Sequence, residues 1–225
     1  MLALRKGLVV ADAAGLFDAS FERDDLIECG CNMHGRRYFV KALDAGDRRA
    51  ALPIAAYRKL YALEDEIRAL SPEERLEERQ RRSKPVWDEL VAWCTVRQKY
   101  EPPSSALGIA LRYFLNHRVA LSRFLFYGFL PMDNGLVERL HVRAALTRKN
   151  YLFAGADSGG ERAAIAYTIL GSCRLAGVDP IAYLRDVLPI LARTIRIKDV
   201  VDLLPSRWAK ARAAAAARQE ATTAP

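Results

Sequence analysis

The stretch PMDNGLVERLHVRAALTRKNYLFAGADSGGER, residues 131–162, decides how the rest of the chain is read. Pro131 closes the segment before it, and Asp133 or Asn134 is placed to cap the orphan N–H groups of a helix running to about Leu146. Residues three and four apart share a helix face, so Asn134, Glu138 and His141 line one side while Leu136, Leu140 and Ala144 pack inward. Arg139 and Arg143 form an adjacent basic row, which Arg148 and Lys149 continue. Tyr151 and Phe153 follow, then glycines at 155, 159 and 160 before Glu161 opens another helix. One acid beside a cluster of cations, with aromatic rings to stack on, suits an enzyme acting on a phosphate backbone. On spacing alone the same residues also describe an ordinary solvated Glu–Arg face.

Longer matches narrow the choice. Asp133-Asn134, then Glu138-Arg139, then RKNYLFAGADSGGERAA (148–164) resemble the third-acid block of the insertion-sequence-66 family of DDE transposases. SCRLAGVDPIAYLRDVL (172–188) and DLLPSRWAKAR (202–212) resemble that family's C-terminal element. Upstream, GCNMHGRRYFVKAL (30–43) is similar to its Cys-x-x-His block, and SPEERLEERQRRSKPVWDELVAW (71–93) to its helical insertion. The chain departs from the pattern at Gly135, where a second Asn is usual, and lacks the aromatic residues expected just after the second acid.

The resemblance implies a mainly α chain with a small α/β remnant, an incomplete RNase H-like catalytic fold carrying a large helical insertion. In these terms residues 1–170 are a partial catalytic domain with its insertion at about 46–126, residues 171–212 a helical element, and 213–225 a frayed tail. It also implies catalytic and metal-binding carboxylates at Asp12 and Glu138 for Mg2+, with transposon-end DNA as substrate. Cys31 and His34 take a positional role beside them, and Arg139, Arg143, Arg148 and Lys149 contact DNA. The family's first acid lies on an earlier strand, and the 11 residues before Asp12 cannot supply the strands that should precede it. The chain is therefore expected to be inactive alone and completed by a separate polypeptide. A non-catalytic basic helical module that binds DNA or a transposase subunit is the alternative, and an unrelated helical protein with structural zinc is the third reading.

Composition agrees with a folded, DNA-directed chain. Its 225 residues are 51% hydrophobic, enough for a sizeable core. Of 35 basic and 27 acidic residues, 139–225 hold 14 and 7, so the net charge of +8 lies almost wholly beyond Glu138. Such a surplus favours a polyanionic partner through counterion release. No apolar run approaches the roughly 18 residues of a membrane span, no cleavable leader is visible, and four cysteines make no secretory framework, so a cytoplasmic chain with reduced thiols is expected.

Taken in order, Gly7-Leu8-Val9-Val10-Ala11 is a strand-type run ending at Asp12, an address shared by metal ligands and turn-initiating acids. A helical turn near 16–21 and an extended piece at 26–29 follow. Cys29-Gly-Cys31-Asn-Met-His34 raises a zinc question, since thiolate and imidazole at that spacing could share an ion, but a structural site wants four ligands. Helices are expected from Arg36 to Ala45 and from Arg48 to Leu70. Another should run from Ser71-Pro72 to about Tyr100, bent at Pro85, with its charges mostly on a solvated face. Two more cover Ser104–Asn116 and His117–Phe126, with His117 a helix-end or core residue and 127–132 extended. Glu161–Ala176 should end at Gly177, Asp179-Pro180 should open the next helix, and Val200–Ala217 should be the last.

Overall fold

The computed structural model describes residues 6–12, 18–148, 155–193 and 196–223. It divides into two compact units, Met1–Glu138 and Arg139–Pro225.

The first unit opens with strand β1, Gly7–Ala11, and its parallel partner β2, Leu26–Gly30, in register from Gly7 opposite Leu26 to Ala11 opposite Gly30. A parallel pair needs a crossover. Residues 12–25 make it, and α1, Asp18–Phe21, lies on it. Among the described residues the sheet has only these two strands, and Leu8, Val9 and Val10 remain partly exposed.

Helices supply the rest of the core. α2 (Asn32–Asp44) buries Asn32, Gly35, Phe39 and Ala42 along one stripe, and begins earlier than its basic residues suggest because Cys31 provides an extended N-cap. α3 (Ala51–Glu66) is led in by a 3₁₀ turn at Arg48–Ala50, which Asp47 caps. α4 (Pro72–Glu78) has the expected capping box: Ser71 Oγ accepts from Glu74 N and Glu74 Oε2 accepts from Ser71 N. α5 (Lys84–Gln98) is not reached through one bent helix, because a π-helical turn at Arg79–Ser83 intervenes. Pro85 has no N–H to direct at the carbonyl four residues back, and widening the preceding turn absorbs that loss. α6 (Ala106–Asn116) is capped by Ser105 Oγ, which accepts from Gly108 N, and buries Leu107, Ala110, Leu111, Phe114 and Leu115. α7 (Arg118–Ser122) and a 3₁₀ turn at Arg123–Phe126 follow, and residues 127–134 turn rather than extend before α8, Gly135–Arg148. Phe39, Tyr57, Trp87, Phe114 and Phe124 meet ring to ring at centroid distances of 5.2–6.5 Å. Each such side chain contributes about 2 kcal/mol by leaving water.

One charge of the helical insertion departs from its mostly solvated face. The charges of α4 and the π turn are not all solvated, for Arg79 is buried to 1% exposure. Its guanidinium forks onto Glu64 at 2.8 and 2.6 Å and donates to the carbonyls of Phe124 and Tyr127, both at 2.8 Å. Each of the three guanidinium nitrogens has a carboxylate or carbonyl to meet, which is what allows an arginine to be buried.

In the second unit α9 (Asp157–Leu175) starts four residues before Glu161, with Gly159 and Gly160 inside its first turn. Gly177 ends the segment with φ +66°, and Asp179 caps α10 (Pro180–Leu191) by accepting from Ala182 N at 3.0 Å. α11 (Ile197–Val200) and a 3₁₀ turn at Val201–Leu203 lead to α12, Pro205–Thr223. α12 continues through the alanine run, the residue type with the strongest helix propensity. The core is small: Cys173, Val178, Tyr183 and Val187 are buried, with Tyr183 edge-on to Trp208 at 5.7 Å and donating to the Leu203 carbonyl at 2.8 Å. No helix among the described residues is long and apolar enough to cross a membrane.

Candidate active site

The site is assembled where the two strands end. The Cys31 amide donates to the Ala11 carbonyl at 2.8 Å, so the residue after β2 is stitched to the residue before Asp12. Gly30 has to be glycine, since a Cβ there would lie 2.9 Å from the Leu121 backbone nitrogen. Asp12 is half-buried, and its carbonyl accepts from Tyr113 Oη at 3.3 Å. Burial first, then the neighbouring Tyr38, and after it acids including Asp12 push the Tyr113 phenol up, so it stays a neutral donor. Tyr113 is itself held by stacking on Tyr38 at 4.2 Å.

Asn32 then ties in the far end of the chain. It is fully buried, its amide nitrogen Nδ2 donates to the carbonyls of Leu121 (2.9 Å) and Met132 (3.2 Å), and its backbone N–H donates to Met132 again at 3.2 Å. One residue on, Asp133 accepts from Tyr61 Oη at 2.6 Å and from Gly135 N at 2.8 Å, fixing the entry to α8. The Asn134 carbonyl accepts the first helical bonds, from Val137 and Glu138. Asp133 is thus the capping side chain of the two that the sequence offered.

These constraints carry Glu138 onto the start of α2. Glu138 Oε1 lies 3.6 Å from His34 Nδ1, and ligand atoms of Cys31, His34 and Glu138 all fall within 4.8 Å of one another. His34 Nδ1 is buried without a hydrogen-bond partner, the Cys31 side chain is fully buried, and the Glu138 side chain is about one-third exposed. Burial pushes the Cys31 thiol up, against the pull of the Asn134 and His34 backbone N–H groups.

The structure thus brings together three of the residues singled out by sequence, and Asp12 is not a member of that cluster. Arg139 is exposed. Arg143 and Arg148 lie on α8, but their side chains, that of His141, and all of Lys149, Tyr151 and Phe153 fall outside the described residues. Asn32, Tyr61 and Tyr113 were missed by sequence reading. An asparagine between a cysteine and a histidine at a helix start was the one available signal.

Comparison with known proteins bears on the role of this site. Residues 1–162 match the family described as Transposase IS66 family. The chain belongs to that family. Three curated relatives from Sinorhizobium fredii (strain NBRC 101917 / NGR234) are similar to this IS66-family chain. Uncharacterized protein y4jD is 38% identical over 180 residues, covering 79% of this chain and 35% of the relative. Uncharacterized protein y4hP is 36% identical over 197 residues, covering 82% and 36%. Uncharacterized protein y4qI is 35% identical over 177 residues, covering 78% and 33%. The IS66-family chain spans about a third of the length of these relatives. No solved structure matches it.

The donors at Glu138 can be tested against the Mg2+ that the resemblance implies. Magnesium takes oxygen ligands in near-octahedral geometry. Two of the three side chains in the cluster offer sulfur and nitrogen instead, so the cluster as a whole does not fit Mg2+. Of the site residues singled out by sequence, Asp12 and Glu138 offer the carboxylate oxygens that Mg2+ takes.

Proposed function

We propose that this chain is the distal part of the catalytic domain of a DNA-transposing enzyme, inactive alone, in which Asp12 and Glu138 are two of the acids of the active site. The observation that carries the reading is the return of Met132 to the strand ends. Asn32 holds Met132, and its neighbour Cys31 holds Ala11, so the 126-residue excursion between Asp12 and Glu138 (138 − 12) closes on itself. The implied Mg2+ would take oxygens from these two acids and leave Cys31 and His34 out of its ligand set.

Two features support the need for more protein. A two-stranded ribbon is marginal by itself, and β1 leaves three apolar residues partly exposed. An RNase H-like fold, as the family implies, would add strands on that side together with the remaining acid. These would come from the rest of a longer protein or from a separate polypeptide. Within the chain, Asp12 and Glu138 would orient the reacting phosphate through whatever they bind. The cations Arg139, Arg143, Arg148 and Lys149 would hold the DNA backbone, which carries the 14-against-7 charge surplus of residues 139–225 to its partner.

The test is strand transfer on matched transposon ends with divalent metal. The purified chain alone should give none, and adding a polypeptide that carries the missing acid should restore it. Asp12→Asn or Glu138→Gln should then abolish it. Turnover by the chain alone that is lost in Glu138→Gln would overturn the claim of inactivity. The charge surplus also favours a second reading, a non-catalytic DNA-binding module. Salt-dependent binding indifferent to Mg2+ and to Glu138→Ala, with no activity on complementation, would select it.

A further inference from the structure

We propose that Cys31, His34 and Glu138 form a binding site for a borderline-soft divalent ion, with Zn2+ the reference case, which clips the start of α8 to the start of α2. The three side chains offer one thiolate, one imidazole and one carboxylate, the donor types zinc takes. Tetrahedral coordination with Zn–N and Zn–O near 2.1 Å puts nitrogen and oxygen about 3.4 Å apart, and sulfur and nitrogen about 3.6 Å apart. The observed separation of His34 Nδ1 from Glu138 Oε1 is 3.6 Å, and no pair in the cluster exceeds 4.8 Å.

A second, independent observation points to a ligand. His34 Nδ1 is buried and has no hydrogen-bond partner, and 3.6 Å is too long for it to bond Glu138 directly. A buried polar atom left in this state is unfavourable, and an ion would satisfy it. The other ring nitrogen lies 3.5 Å from Arg37, an exposed side chain that can swing aside once Nε2 carries the proton. On binding, the Cys31 thiol releases one proton to solvent, His34 binds neutral, and Glu138 binds as carboxylate. Three protein ligands leave a fourth position on the side where Glu138 is exposed, filled by water.

The inference deepens the reading of Glu138 as a functional acid, and rests on that reading only for its consequence. One carboxylate oxygen held by a fixed ion leaves the other oriented rather than free to rotate.

The test uses the full chain, reduced and stripped of metal, titrated with Co2+ as a spectroscopic stand-in and then with Zn2+. One equivalent of Co2+ should give the visible bands of a tetrahedral ion and a near-ultraviolet thiolate-to-cobalt band, and Zn2+ should displace both. Cys31→Ser should abolish the thiolate band. His34→Gln and Glu138→Gln should each weaken binding about tenfold or more. Cys94→Ser, at a buried cysteine outside the cluster, should leave the thiolate band in place. Circular dichroism on each variant separates lost binding from lost folding, and Zn2+ should raise the melting temperature of the wild type more than that of Glu138→Gln. Absence of the thiolate band at one equivalent, or full affinity in folded Glu138→Gln, overturns the proposal. Strand transfer by complementation reads the other claim separately: a band without activity sinks the transposase reading, and activity without a band sinks the zinc site.

Discussion

Replacing Asn32 by alanine tests the way this site is held. The side chain is fully buried and its Nδ2 makes two hydrogen bonds, to Leu121 and Met132 carbonyls that come from opposite ends of the segment leading to α8. Each neutral bond is worth about 1 kcal/mol net, and a buried carbonyl left without a donor costs about 1–3 kcal/mol. Met132 keeps the backbone N–H of residue 32, so only Leu121 loses its side-chain donor outright. Asn32 Oδ1 already lacks a partner, and its removal returns part of the loss. The balance is a destabilisation of about 2–4 kcal/mol. Urea unfolding followed by circular dichroism at fixed protein concentration would measure it. Asn32→Asp sharpens the test, because a carboxylate there would face two carbonyl oxygens. The introduced carboxyl should titrate well above its ordinary value in the folded protein, so the variant is most stable in acid and loses stability as pH rises from the unfolded value of about 3.9 up through the raised folded one. Both variants should also weaken Co2+ binding, since Glu138 is positioned through Met132. A cost below about 0.5 kcal/mol for Asn32→Ala, with unchanged Co2+ affinity, would refute the idea that this residue holds the site together.

Other outcomes follow from the same contacts. Arg79→Met should destabilise the first unit by about 3 kcal/mol in urea unfolding, because Glu64 and two carbonyls lose their partner together. Gly128→Ala should be at least as damaging as a typical core substitution, since a Cβ there would stand 1.7 Å from the Pro72 carbonyl oxygen, and a lowered denaturant midpoint checks it. Ser105→Ala should cost about 1 kcal/mol by removing the cap on α6, readable as a modest fall in melting temperature. The native protein at pH 8 should leave a thiol reagent nearly unreacted, with four equivalents consumed in denaturant, because all four cysteines are buried and burial pushes Cys29 up to about 11.

Local rules in the sequence carried far. Ser71-Pro72 and Asp179-Pro180 start helices where a cap followed by proline says they should, and Gly177 ends one. The strand-type run 7–11 is β1, and the acid after it sits at a strand end. What could not be read was set by distant partners. That β1 and β2 run parallel depends on hydrogen bonds between segments, not on either segment's pattern. Cys31 and His34 share one turn of chain, but nothing in their spacing says that a carboxylate more than 100 residues later comes to meet them. The π turn before Pro85 was read as a bend because proline announces a disturbed helix without saying how the lost bond is made up.

The buried arginine shows why the helical insertion matters to the site. A run such as EERLEERQRR looks mostly solvated, since charged residues are seldom buried and no sequence feature marks which one has found partners. Arg79 has found them. It joins Glu64 on α3 to the carbonyls of Phe124 and Tyr127, the turn from which the chain starts toward α8. Eight residues past Phe124, Met132 is held by Asn32, and the next residue, Asp133, is held by Tyr61, also on α3. The approach to Glu138 is therefore fixed at three successive points, two of them through α3 and one through α2. Helices that would otherwise read as filler between two acids set where the second acid lies. A loss of packing at Arg79 should accordingly reach Glu138 without touching it.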